Sequence, residues 1–170
     1  MAGKKWGDVS YNGKTYDLTH LHPFNFNATI SGAQVSINVV FGNHCFTDEK
    51  GDGVPLPGGR YFCEARYHAS LELPRILQER LVNGHVVPHF SKTSNEVYYY
   101  SEVNDYAIFF DLRQDPQNPN GLVMFIMSAY EVDQWGKSGL PRGTAVKFNY
   151  IGHLRLNGQT YAQVKKQKRR

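Results

Sequence analysis

The sequence predicts an α+β fold, a curved antiparallel sheet of about seven to nine strands with one principal helix packed on it. Three observations carry this reading. Alternating or continuous runs of β-branched and aromatic residues fill both halves of the chain. One stretch near the middle has helical periodicity. Strands and helices do not alternate, which argues against a doubly wound parallel sheet. With 170 residues and no internal repeat or linker, the chain reads as a single domain spanning 1–170.

Residues 1–10 read as a flexible leader. After the Asn12-Gly13 turn, Lys14 to His20 alternates polar and apolar and reads as a strand. Pro23 interrupts it, and Phe24 and Phe26 continue at a sheet edge. Ser31-Gly32 turns the chain into Val35 to Phe41, the clearest early strand. Asp48 to Arg60 is rich in glycine and proline and reads as a loop.

The helix follows. Ser70 reads as its N-cap, Pro74 falls in the first turn, and Gly84 ends it. Leu73, Ile76, Leu77 and Leu81 form its apolar stripe. His85 to Phe90 and the tyrosine-rich Val97 to Val103 then read as strands. Tyr106 to Arg113 and Leu122 to Val132 flank an Asp115–Gly121 loop as a long hairpin. Leu122 to Met127 is continuously apolar, so that strand is expected to be buried on both faces. Gly136 to Gly143 reads as a loop. Thr144 to Ile151, His153 to Leu156 and Thr160 to Val164 read as strands, the last pair joined by a type I′ turn at Asn157-Gly158.

The chain carries a formal charge of +4 and a pI near 9.0. The charge is concentrated at the ends. Lys165, Lys166, Lys168, Arg169 and Arg170 form a basic tail at 165–170, and Lys4 and Lys5 sit near the start. Those seven account for much of the 19 basic residues, leaving 12 against 15 acids in between, or −3. No apolar run approaches the ~20 residues that span a bilayer. Met1 to Trp6 lacks a signal-like apolar core, so the expectation is a cytoplasmic protein without a membrane partner. Cys45 and Cys63 then read as free thiols.

The densest chemical cluster is Asp17-Leu18-Thr19-His20-Leu21-His22-Pro23. On a strand, His20 and His22 share a face about 6–7 Å apart. That spacing suits two imidazoles flanking a phosphate. With His44 or Cys45, it also suits a zinc site. Metal-free RNA cleavage needs a base, an acid and a cation. His20, His22 and His44 supply the first two roles, and Arg60 or Arg66 the third. Tyr98, Tyr99, Tyr100 and Tyr130 offer rings to stack on unpaired bases. The leading expectation is a cytoplasmic protein acting on RNA, a metal-independent endoribonuclease of toxin type that needs no cofactor. The second is a non-catalytic module whose 48–60 and 114–121 loops and tyrosine strand bind a protein or nucleic-acid partner. The third is a zinc protein using His20, His22 and His44. Ser128 has no GxSxG elbow, the acids at 48–53 lack an EF-hand register, and there is no P-loop.

Tyr16-Asp17-Leu18-Thr19-His20-Leu21-His22-Pro23-Phe24, His44-Cys45-Phe46-Thr47 and Ser128-Ala129-Tyr130 resemble a poorly characterised group of short bacterial and mobile-element proteins. Some of these are labelled stationary-phase growth adaptation proteins. The resemblance covers Tyr16 to Phe148. It implies a bacterial, cytoplasmic protein encoded on a phage, plasmid or defence island.

Overall fold

The computed structural model describes residues 3–90, 96–132 and 139–169. The predicted α+β class is observed, with a curled seven-stranded sheet as its main layer. In chain order the strands are β1 (Val9–Tyr11), β2 (Lys14–Tyr16), β3 (Phe24–Ile30), β4 (Ala33–His44), β5 (Thr47–Asp48), β6 (Pro55–Leu56) and β7 (Arg60–Phe62). They continue as β8 (His85–Phe90), β9 (Glu96–Val103), β10 (Tyr106–Asp115), β11 (Asn118–Glu131) and β12 (Val146–Lys147). The large sheet runs β12-β8-β9-β10-β11-β4-β3.

The sheet is mixed, which corrects the antiparallel expectation. β11 and β4 pair in parallel, with Leu122 opposite Ile37 and Met124 opposite Val39. The reason is the long crossover after β4. The chain leaves through helices, re-enters at β8 and meanders back antiparallel, so β11 arrives beside β4 pointing the same way. The predicted 48–60 loop runs from the end of β5 through β6 to the start of β7, which together form a small three-stranded flap. Gly53 lies so close beneath it that a Cβ there would stand 1.9 Å from the Phe62 carbonyl oxygen.

The central helix begins earlier than predicted. α1 is Glu64–Ser70, with Cys63 as an N-cap that makes no side-chain hydrogen bond. Ser70 ends this helix instead of starting one, and its hydroxyl donates to the Tyr67 carbonyl at 2.7 Å. Pro74 has no N–H to continue the ladder, so the chain breaks and restarts as α2 (Leu73–Ile76). A π-type turn over Leu77–Leu81 closes it, and Gly84 ends the segment as predicted. Leu73, Leu77 and Leu81 are all fully buried.

The last three predicted strands are largely helix. α3 (Phe148–Leu156) buries Phe148, Ile151 and Leu154, a three-residue spacing that belongs to a helix face. Asn157-Gly158 ends α3 instead of forming a hairpin. Gly158 adopts φ +67° and the Gln159 N–H donates to the Leu154 carbonyl at 2.9 Å. Thr160 then caps α4 (Tyr161–Gln167) through a reciprocal pair with Gln163. Lys165 and Lys166 of the basic tail are therefore helical. The leader also differs from expectation, because Val9–Tyr11 is a strand. Part of the predicted Gly136–Gly143 loop, and Arg170, lie outside the described residues.

The core fills one face of the sheet. Val35, Ile37, Val39 and Phe41 alternate inward from β4, Ile108, Phe110 and Leu112 from β10, and Leu122, Met124 and Ile126 from β11. Each such side chain contributes about 1.5–3 kcal/mol of gross burial. β11 is not covered on both faces, since Phe125 is 41 % exposed on the other side. Among the described residues no helix is long and apolar enough to cross a membrane.

Candidate functional site

The face of the sheet opposite the core carries a row of π groups. His89 of β8 stacks on Tyr98 of β9, with ring centroids 4.4 Å apart and planes at 12°. Tyr98 meets Phe109 of β10 edge-on at 6.0 Å. Phe109 stacks on Tyr130 of β11 at 5.8 Å and 18°. The Arg66 guanidinium from α1 lies over Tyr130, 4.8 Å from its centroid. Strand alternation puts Val87 and His89, Tyr98 and Tyr100, and Ala107 and Phe109 on this face.

Tyr130 reaches the face for a different reason. Leu122, Met124 and Ile126 point inward, so an unbroken β11 would aim residue 130 inward too. A bulge intervenes: Phe110 pairs with Ile126 but Phe109 with Ser128, leaving Met127 extra. Met127 and Ser128 then both face outward, Ala129 is buried, and Tyr130 is re-aimed outward. Gly42 sits opposite this bulge on β4. A Cβ there would stand 3.0 Å from the Met127 carbonyl oxygen and 3.4 Å from the Phe125 ring.

These residues line a groove of roughly 500 Å³, with Tyr98, Phe109, Phe125 and Tyr130 as walls and His44 at its rim. Arg66 Nη1 donates to the His44 carbonyl oxygen at 2.9 Å, tying α1 to the end of β4. Burial, reinforced by the nearby Arg60 and Arg66 charges, holds the His44 imidazole below its ordinary value. Tyr100 packs beneath Phe109 at 5.2 Å, and its hydroxyl donates to Glu102 at 2.8 Å. Desolvation raises the Tyr98 phenol, so it stays protonated at neutral pH.

Of the residues named from sequence, His44, Arg66, Tyr98, Tyr100 and Tyr130 come together here. The others do not. Thr19–Leu21 forms a 3₁₀ turn, so His20 and His22 are not on a strand and do not share its face. His20 Nε2 lies 2.8 Å from Ser70 Oγ, with its ring against Tyr67, and burial lowers its pKa. His22 Nε2 donates to the Trp6 carbonyl oxygen at 2.8 Å and holds the leader down. Arg60 is buried within the flap, bonded to Thr47 and paired with Glu49 at 2.9 Å. Tyr99 points into the core, where its hydroxyl accepts from Arg155 Nε at 2.8 Å. Burial pushes the Cys45 thiol up to about 12, so it is protonated at neutral pH. Among the described residues no three His, Cys, Asp or Glu side chains form a group that could hold a metal ion, so His20, His22 and His44 make no zinc site in this arrangement.

Sequence reasoning missed His89, Phe109, Phe125 and Gly42. Phe125 had a signal: it alternates with Leu122, Met124 and Ile126 in parity, and one-sided burial would have exposed it.

No curated protein and no solved structure matches the chain. Residues 8–156, from the first hairpin to the end of α3, match the YjaZ family, and the chain therefore belongs to that bacterial family.

Proposed function

We propose that this protein binds single-stranded RNA on the open face of its sheet. The single observation that carries the reading is the row His89–Tyr98–Phe109–Tyr130–Arg66, which crosses four strands and ends on a cation. Unpaired bases are held by aromatic rings and guanidinium planes on a sheet, each worth about 1–3 kcal/mol by alanine substitution. Phe125 supports it further, because a large ring left 41 % exposed beside the row adds apolar surface to the groove.

The test is fluorescence anisotropy with labelled single-stranded and duplex RNA of one length. Single strands should bind more tightly. Phe125→Ala and Tyr98→Ala should each weaken binding by about 1–3 kcal/mol, roughly 5–150-fold. Phe125→Ala should leave the melting temperature nearly unchanged. Equal affinity for duplex, or no binding at all, would end the reading.

A metal-independent cleavage at the same groove is a second reading, favoured by the meeting of His44, Arg66 and Tyr130. His44 is neutral at pH 7 and suited to accept the 2′-hydroxyl proton. The 2′-oxygen then attacks the adjacent phosphorus, and the P–O5′ bond breaks. A 2′,3′-cyclic phosphate and a 5′-hydroxyl result, the leaving oxygen taking its proton from water. Arg66 would offset charge on the phosphorane. His44→Ala should abolish cleavage in EDTA while leaving binding; RNA that stays intact with wild-type protein ends this step alone.

A further inference from the structure

We propose that α4 is a docked phosphate-binding arm that continues the RNA path beyond the ring row. The inference rests on the RNA-binding reading above. It begins from the packing of α4, which is not a free tail. Tyr161 contacts Phe90 of β8 at 6.4 Å and Tyr150 of α3 edge-on at 6.2 Å. Ala162 is buried, and the Thr160–Gln163 capping pair fixes the first turn. The helix is thus held against Phe90 on the core side of the sheet, while the neighbouring His89 ends the ring row on the open side; β12 pairs with His85 and Val86, so the arm and the row meet around the edge of β8 beyond them.

Helical spacing then places Lys165, Lys166 and Arg169 on adjoining positions of one surface. Together with Phe90 and Ala162 they frame a cleft of about 240 Å³. All three cations are exposed, and among the described residues none makes an ion pair with a carboxylate. Three cations with no carboxylate partner, Lys165 lying 5.8 Å from the centre of the Tyr161 ring, surround an aromatic floor and are complementary to a phosphodiester with its base. The body of the chain is mildly acidic and offers the backbone little attraction elsewhere. The arm supplies the sequence-independent part of binding, and the rings supply the preference for unpaired bases.

The experiment is a salt titration of binding to a labelled oligouridylate, using full-length protein. Lys165→Ala/Lys166→Ala/Arg169→Ala is compared with Phe125→Ala. Each phosphate contact on a single strand contributes about 0.7 to the log–log salt slope, so the triple variant should lose roughly 2 units of slope. Phe125→Ala should weaken binding with its slope unchanged. The triple variant replaces only exposed side chains, so its melting temperature should match the wild type. A wild-type slope in the triple variant, with binding otherwise intact, overturns the arm and leaves the RNA reading standing. Failure of the wild type to bind the oligouridylate overturns both. Wild-type binding to vesicles of anionic phospholipid but not to RNA also overturns both, and reassigns the arm to a membrane surface.

Discussion

Arg66 places its guanidinium carbon 4.8 Å from the centre of the Tyr130 ring while its Nη1 bonds the His44 backbone. One side chain thereby joins α1, β4 and β11 at the end of the groove. A cation over a tyrosine face contributes about 0.5–2 kcal/mol, depending on its desolvation. Arg66→Lys keeps the charge but loses the planar fork, so it should recover little of the RNA binding lost in Arg66→Ala. Anisotropy with both variants checks this. Full rescue by lysine would mean that only the charge matters.

His44 should titrate below free imidazole, chiefly through burial, with Arg60 and Arg66 adding to the effect. Removing Arg66 removes one positive neighbour, so Arg66→Gln should raise the His44 value toward the free one. NMR titration of the His44 ring reads this directly. If cleavage occurs, the acid limb of its pH profile should move upward in the same variant. An unmoved His44 titration would show that the guanidinium does not sense the ring.

His20 predicts a pH dependence of stability. Burial against Ser70 and Tyr67 lowers its folded value below its unfolded one. The unfolded state therefore binds more protons between the two values. The stability linked to His20 is present above the free-imidazole range near ~6.5 and is lost as pH falls through the folded value. Urea unfolding at a series of pH values should show this loss, and His20→Gln should flatten it. An identical profile in the variant would assign the loss to other groups.

Gly53→Ala should disrupt the flap. The added Cβ would stand 1.9 Å from the Phe62 carbonyl oxygen, a backbone atom that cannot swing aside. Displacing β7 would strain the Phe62 N–H bond to the Val54 carbonyl, now 2.9 Å, at a cost of about 1–3 kcal/mol. Thermal melting measures the cost, and limited proteolysis within residues 48–60 reports the flap. A wild-type melting curve would mean that the flap relaxes freely.

Local pattern determined much of this protein. The alternation of Val35 to Phe41 specified β4, and the paired runs around Asp115–Gly121 specified the β10–β11 hairpin. There the turn proved shorter, because Asp115 already pairs with Asn118. Composition also located the basic charge at the ends. Misreadings arose where residue type outweighed spacing: the β-branched and aromatic residues of Thr144 to Ile151 read as strand, although Phe148, Ile151 and Leu154 are spaced for a helix face. The decisive local signals were the Thr160–Gln163 capping box and the left-handed Gly158.

The histidine cluster was legible as composition but not as geometry. Pairing His20 with His22 required a strand, and the chain makes a 3₁₀ turn there. The site residues that do assemble are separated by long stretches of sequence. Their meeting depends on β4 and β11 lying parallel, on α1 reaching Tyr130, and on one bulge at Met127 that reverses the parity of β11. Side-chain direction along a strand is a local, period-two property, so the sequence by itself determined which residues alternate. Which face is buried, and where the alternation slips by one, was decided only by pairing with neighbouring strands in the tertiary structure.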